Sequence, residues 1–150
     1  MTQAKGAPPI IYAIDASVAI KWFSEKDEDY LEQALKLQEL HLQGDCLLIA
    51  PDLLVYEVVN ALRHNPNFEQ TDTVLAFQSL RKMELSLIEP GEKETERAIE
   101  LAYEKNITIY DASYLALAQE RRAFLITVDM KFYQKVGDLP HIITLRDLLA

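Results

Sequence analysis

Asp15, Glu57, Asp111 and Asp129 are acidic residues set in strongly apolar sequence. Such a set suits one chemistry above others: holding a divalent cation against a phosphate. An isolated ionised carboxylate is costly to bury, and several held close together repel one another, so a framework that keeps four is expected to bring a cation to them. Carboxylate oxygens suit Mg²⁺, with Mn²⁺ as the alternative, whereas Zn²⁺ would ask for His or Cys. His41, His64 and His141 are scattered, match no zinc spacing and read as surface or packing residues.

Each acid also has a plainer reading when taken alone. Asp15 follows the apolar run Ile10 to Ile14, which places it at the carboxyl end of a first strand, the edge where open α/β sheets bind ligands. Asp15 or Ser17 could simply cap the next helix. Glu57 lies in a segment from Leu53 to Leu62 that is apolar nearly all round and is expected to form a buried helix. There Glu57 and Asn60 are three apart and share a face, as parts of a cation site, as a chance polar stripe at the domain surface or as a structural hydrogen-bonded pair. Asp111 stands at the start of the nearly uncharged run Ala112 to Ala118, where a bare N-cap would be unremarkable. Asp129 comes directly after Phe124 to Val128, where turn chemistry is an adequate account. The set carries the argument, because three of the acids fall at strand ends or helix starts on one expected sheet edge and the other lies mid-helix.

The elements that must position these groups follow from periodicity and punctuation. Apolar runs at Ile10 to Ile14, Leu47 to Ala50, Leu85 to Ile88, Phe124 to Val128 and Ile142 to Leu145 predict five strands. Helices are expected just after Asp15, near Asp29 to Gln43, over Leu53 to Arg63, Thr71 to Met83, Glu92 to Glu104 and Ala112 to Arg122, and near Lys131. The acidic run Asp27-Glu28-Asp29 reads as a helix start favoured by the macrodipole. Strands alternating with helices predict an α/β fold, a parallel sheet covered on both faces.

With 150 residues, 49% of them hydrophobic, the chain suits one domain, expected over residues 10–150 after a flexible leader at 1–9. Cys46 has no partner for an intrachain disulfide, which favours a reducing, cytoplasmic setting, and no stretch is long and apolar enough to span a bilayer. Fifteen Lys and Arg against 24 Asp and Glu give a net charge of −9, which opposes non-specific attraction to a polyanion. The candidates for phosphate contact are Lys21, Arg63, Arg81, Lys82, Arg121, Arg122 and Lys131.

The motifs Ile14-Asp15-Ala16-Ser17-Val18, Glu57-Val58-Val59-Asn60-Ala61-Leu62, Tyr110-Asp111-Ala112-Ser113-Tyr114-Leu115-Ala116-Leu117-Ala118 and Leu125-Ile126-Thr127-Val128-Asp129, in this order, resemble the PIN-domain family of metal-dependent ribonucleases. A chain of this length is most similar to the VapC-type toxins of toxin–antitoxin pairs. The resemblance implies a three-layer α/β/α sandwich around a five-stranded parallel sheet. It further implies an acidic pocket of Asp15, Glu57, Asp111 and Asp129, with Asp15 and Asp111 as direct metal ligands and Ser17, Asn60 and Thr127 as supporting groups. Hydrolysis of RNA with Mg²⁺ or Mn²⁺, a homodimer and a VapB-like antitoxin partner follow from the same resemblance. Tyr30, Phe68, Phe77 and Tyr133 are candidates for a dimer surface, with core packing the plainer reading of any one of them.

Other folds that place Asp near Mg²⁺ match less well. A response receiver wants adjacent acids at the first strand, a haloacid-dehalogenase-like phosphatase wants Asp where Ser17 stands, and none of the glycines belongs to a phosphate-cradling loop. A PIN-like module that binds RNA or protein without cutting is the alternative from another class.

Overall fold

The computed structural model of the chain describes residues 6–23 and 28–148. Residues 1–5 of the expected leader, Asp27 of the acidic run, and residues 149–150 of the expected domain lie outside the described residues. Strands β1 (Ile10–Ile14), β2 (Cys46–Pro51), β3 (Ser86–Ile88), β4 (Phe124–Thr127) and β5 (Ile142–Thr144) form one wholly parallel sheet in the order β3-β2-β1-β4-β5. Around it run α1 (Ala16–Lys21), α2 (Leu31–Leu42), α3 (Leu53–Arg63), α4 (Gln70–Lys82), α5 (Glu92–Lys105), α6 (Ile109–Glu120), α7 (Met130–Val136) and α8 (Leu145–Leu148). The expected α/β/α architecture with five parallel strands is the one observed.

The strand order fixes where a ligand can sit. From β1 the chain lays down β2 and β3 on one side, then returns to the other side of β1 for β4 and β5. Connections leave β1 and β4 in opposite directions, so a crevice opens beyond their carboxyl ends. There Ile14 lies beside Ile126, and the Asp15 amide bonds the Ile126 carbonyl at 3.3 Å. Both strands end in the core, with Ala13, Ile14, Leu125 and Ile126 buried as a parallel sheet requires.

Several elements differ from expectation for identifiable reasons. α6 begins at Ile109 rather than Ala112, because the Thr108 hydroxyl caps the helix by accepting the Asp111 amide at 3.0 Å. Asp111 is therefore inside the first turn and is not the cap. Leu145, expected to close the last strand, instead opens the short helix α8. α2 begins at Leu31, after Tyr30 in the left-handed region at φ 64°. α3 is not buried all round: Leu54, Val58 and Leu62 face the core, while Tyr56, Asn60 and Arg63 form an exposed face. Periodicity could not reveal this, since its outward residues include apolar and aromatic ones. α6 does run through the core, with Ala112 and Tyr114 to Ala118 all buried.

Because Thr108 anchors the turn that carries Asp111, Thr108→Ala is expected to cost about 1 kcal/mol of stability and Thr108→Ser much less. Urea unfolding measures it, and equal midpoints for the two variants would show that the cap contributes nothing.

Candidate active site

Asp15 is the N-cap of α1 and is only 8% exposed. Its Oδ1 accepts the Ser17 hydroxyl at 2.5 Å and the Val18 amide at 3.3 Å, and its Oδ2 accepts the Thr127 hydroxyl at 2.5 Å. Ser17 Oγ also accepts the Val128 amide at 3.1 Å, and Thr127 Oγ1 accepts the Asp129 amide at 3.0 Å. These bonds join the ends of β1 and β4 through one carboxylate. Both the capping reading of Asp15 and its place at the sheet edge are therefore correct.

The other acids surround this point with less burial. Glu57 is half-buried and its Oε1 accepts the hydroxyl of buried Tyr114 at 2.6 Å. Tyr114 is three residues beyond Asp111 on α6, so one helix supplies both an acid and the group that orients another acid. Asp111 is half-buried; Asp129 is exposed, and its Oδ1 caps α7 by accepting the Phe132 amide at 3.1 Å. The expectation of four acids within an apolar framework thus holds fully for Asp15, partly for Glu57 and Asp111, and not for Asp129. Val128, expected to extend β4, has already left the strand, and this turns Asp129 out to solvent. Asn60 is exposed beside Glu57, whose hydrogen-bond partner is Tyr114 rather than Asn60.

Charge couples what hydrogen bonds do not. Burial pushes the Asp15 carboxyl up from 3.8 to about 6, against the lowering effect of Ser17, Thr127 and the Val18 amide, and Asp129 adds to the rise. Burial likewise raises Glu57, with Asp111 adding to it, and raises Asp111, with Asp129 adding to it. The Tyr114 phenol is raised by burial, by its bond to Glu57 and by the charges of Glu57, Asp15 and Asp111. These influences run from Asp129 to Asp15 and Asp111, and from Asp111 to Glu57, so the four carboxylates lie in one region.

As the side chains lie, no group of three or more His, Cys, Asp or Glu among the described residues stands close enough to hold a metal ion. The donor chemistry nevertheless fits a hard cation. The donors are all oxygen, they repel one another, and Mg²⁺ keeps several waters while taking only one or two carboxylates directly, so a closed protein cage is not required.

Two cations join the acids. Asp111 and Asp129 line a cavity of about 340 Å³ with Lys131 and Lys135. Lys135 Nζ donates to the Asn106 carbonyl at 2.9 Å, and its charge works against the rise of the Asp111 carboxyl without overcoming it. Lys131 was visible in sequence. Lys135 and Tyr114 were missed, although Lys131 and Lys135 stand i, i+4 on α7 and Tyr114 stands i, i+3 from Asp111. Of the other basic candidates, Arg63 lies in a cavity beside Glu57, Lys21 pairs with Glu28 at 3.4 Å, and Arg121 and Arg122 stand at the opposite, amino edge, just ahead of β4. His41 packs structurally, with Nε2 at 2.8 Å from the Met83 carbonyl and Nδ1 accepting the Leu48 amide.

Asp15 holds its proton more tightly folded than unfolded. Metal-free stability is therefore fully expressed below its unfolded value of 3.8, declines as pH rises toward about 6, and levels off above that. The shift corresponds to about 3 kcal/mol. Asp15→Asn, which keeps the cap, is expected to flatten this part of the stability profile in chelator. Urea midpoints from about pH 4 to about pH 8 read it out, and an unchanged slope would clear Asp15 of the burden.

Comparison with known proteins identifies the family and the fold. The chain is 27% identical over 142 residues, 95% of its length and 98% of the other, to the protein named exonuclease VapC9 of Pyrobaculum aerophilum. The crystal structure of PAE2754 from Pyrobaculum aerophilum superposes with a TM-score of 0.67 at 25% identity, covering 96% of each chain. A toxin–antitoxin complex from Klebsiella pneumoniae gives a TM-score of 0.67 at 20% identity, over 89% of this chain and 97% of that one, a likeness of fold. The PIN domain model matches residues 12–137, a span that runs from β1 to the end of α7 and takes in all four acids, and the chain belongs to the PIN domain family.

Proposed function

We propose that this protein is a metal-dependent endoribonuclease that hydrolyses RNA phosphodiester bonds with Mg²⁺, or Mn²⁺ in its place, as the toxin of a VapBC-type pair in the cytoplasm. The observation that carries the reading is the electrostatic coupling of Asp15, Glu57, Asp111 and Asp129 at the crevice where the sheet changes direction. Charges that oppose one another in this way fit a site completed by a cation. Membership of the PIN family and similarity to a protein named as an exonuclease support nuclease chemistry.

In this reading Asp15 and Asp111 are direct ligands, with Glu57 and Asp129 completing the acidic set. When bound, the cation would supply a water of lowered pKa and neutralise charge on the departing oxygen. Ser17 and Thr127 hold Asp15 in one orientation by donating to different oxygens, and Tyr114 does the same for Glu57. Lys131 and Lys135 bring positive charge to the Asp111 side, where a substrate phosphate would otherwise meet only acids. Asn60 offers an amide beside Glu57. The products would carry 5′-phosphate and 3′-hydroxyl ends. The acidic site would also take a basic side chain from a VapB-like antitoxin, and the resemblance to VapC toxins supports a homodimer.

The relative's name favours a second reading, exonuclease action. Against it, two separate open cavities are bordered by the acids, one by Glu57 and one by Asp111 and Asp129, which leaves room for a strand to pass the site without presenting an end.

Linear and covalently circular RNAs, incubated with Mg²⁺, Mn²⁺ or chelator, test these readings together. The circle should open only with metal, and Asp111→Asn should lower the rate at least about a hundredfold with the fold kept. Cleavage of linear RNA alone would make the enzyme an exonuclease. RNA bound but never cut would establish the non-catalytic module instead.

A further inference from the structure

Folding leaves two large aromatic rings in water beside the acids. Tyr56 is 76% exposed and Tyr110 is 64% exposed. On α3, Tyr56, Asn60 and Arg63 stand at i, i+4 and i+7 and form one wall of a cavity of about 720 Å³, which Tyr110 of α6 and Thr73 of α4 also line. A second cavity of about 540 Å³ shares Arg63 and Thr73 and reaches Phe68. The two form one groove along α3 and the start of α4. Glu57 is among the residues that line it, so an occupant of the groove lies next to one of the acids. Arg63 makes no ion pair among the described residues, and the pairs that do form engage other cations.

We propose that this groove is a base-binding subsite for single-stranded RNA, in which unpaired bases next to the cleaved bond stack on Tyr56, Tyr110 and the Arg63 guanidinium. The proposal rests on the ribonuclease reading and names how that substrate is held. Charge gives the first reason. With a net charge of −9 and four acids at the site, the protein has little phosphate attraction to draw on. Stacking supplies affinity that does not depend on neutralising phosphates, and every base offers a face to it. The composition of the groove gives the second reason. Asn60 and Arg63 can hydrogen-bond base edges, as single-stranded RNA readers do, whereas a protein helix laid on this face would bury both away from water. The extent of the lining gives the third, since the two cavities share Arg63 and Thr73 and between them are bordered by residues from Glu57 to Phe68, room for more than one nucleotide.

The test is binding of a dye-labelled single-stranded RNA to the full chain in chelator, followed by anisotropy. Tyr56→Ala should weaken binding about tenfold and Tyr56→Phe, which keeps the ring, should not. The same RNA with abasic sites in place of its bases should bind wild type about as weakly as it binds Tyr56→Ala. The slope of log Kd against log salt should correspond to about one or two phosphate contacts. Equal affinity of wild type and Tyr56→Ala would overturn the proposal, as would a steep salt slope with no dependence on bases. Light scattering on the same samples covers the rival occupant: conversion of a dimer to a monomer by Tyr56→Ala would make the groove an interface between copies and overturn the proposal. Cleavage by wild type with Mg²⁺, measured separately, keeps the two readings apart. Cutting without Tyr56 dependence removes the subsite alone, and Tyr56-dependent binding without cutting under any metal removes the nuclease alone.

Discussion

A single carboxylate, that of Asp15, joins the ends of the two central strands, and the rest of the site is arranged around it. Ser17 engages one oxygen and Thr127 the other, and each of those hydroxyls in turn accepts a backbone amide from the segment leaving β4. The join is possible because β1 and β4 are neighbours that the chain leaves in opposite directions. An unpaired acid in this position would be costly, and the hydroxyls offset only part of the cost, as the upward displacement of its proton affinity shows. The carboxylate therefore carries a cost of burial that its hydrogen bonds relieve only in part, and in the function proposed above a cation would lower it.

Much of this was legible in the sequence, and the failures are instructive. The strand ends that carry Asp15 and Asp129 were marked by apolar runs that stop at an acid, and the parallel sheet followed from alternation of strands and helices. Asp111 was located correctly but assigned the wrong neighbourhood, because Thr108 rather than Asp111 starts the helix. A capping hydroxyl three residues upstream is a local signal, but it competes with the stronger apolar pattern that begins at Ala112. The surface of α3 was misread for a deeper reason. Tyr and Val look the same to a periodicity argument whether they pack into a core or line a groove, and only the positions of α4 and α6 decide between the two. Core packing, the plainer reading of Tyr30, Phe68 and Tyr133, is what the structure shows, whereas Phe77 is partly exposed and Tyr56, Tyr103 and Tyr110 are the most exposed aromatic residues described.

Charge is distributed unevenly with respect to the crevice. Arg121 and Arg122 stand ahead of β4 at the opposite edge, while Lys131, Lys135 and Arg63 are the cations that border cavities at the acids. The overall charge of −9 thus understates how locally the positive groups are placed. The net charge opposes a polyanion at long range, and these few cations fix where positive potential remains beside the acids.

α6 has two occupations along its length. Its first turn holds Asp111 at the crevice, the next turn sends the Tyr114 hydroxyl to Glu57, and the remainder is packed among buried Leu115, Ala116, Leu117 and Ala118. Tyr114 itself is among the largest fully buried side chains of the molecule. The alignment of two acids is consequently held by the same packing that holds the molecule folded, with no intervening loop to absorb a displacement. Heat or denaturant should therefore abolish the alignment of the acids and the packing of the core together, in one cooperative step, and substitutions deep beneath α6 should register at the crevice as readily as those on its rim.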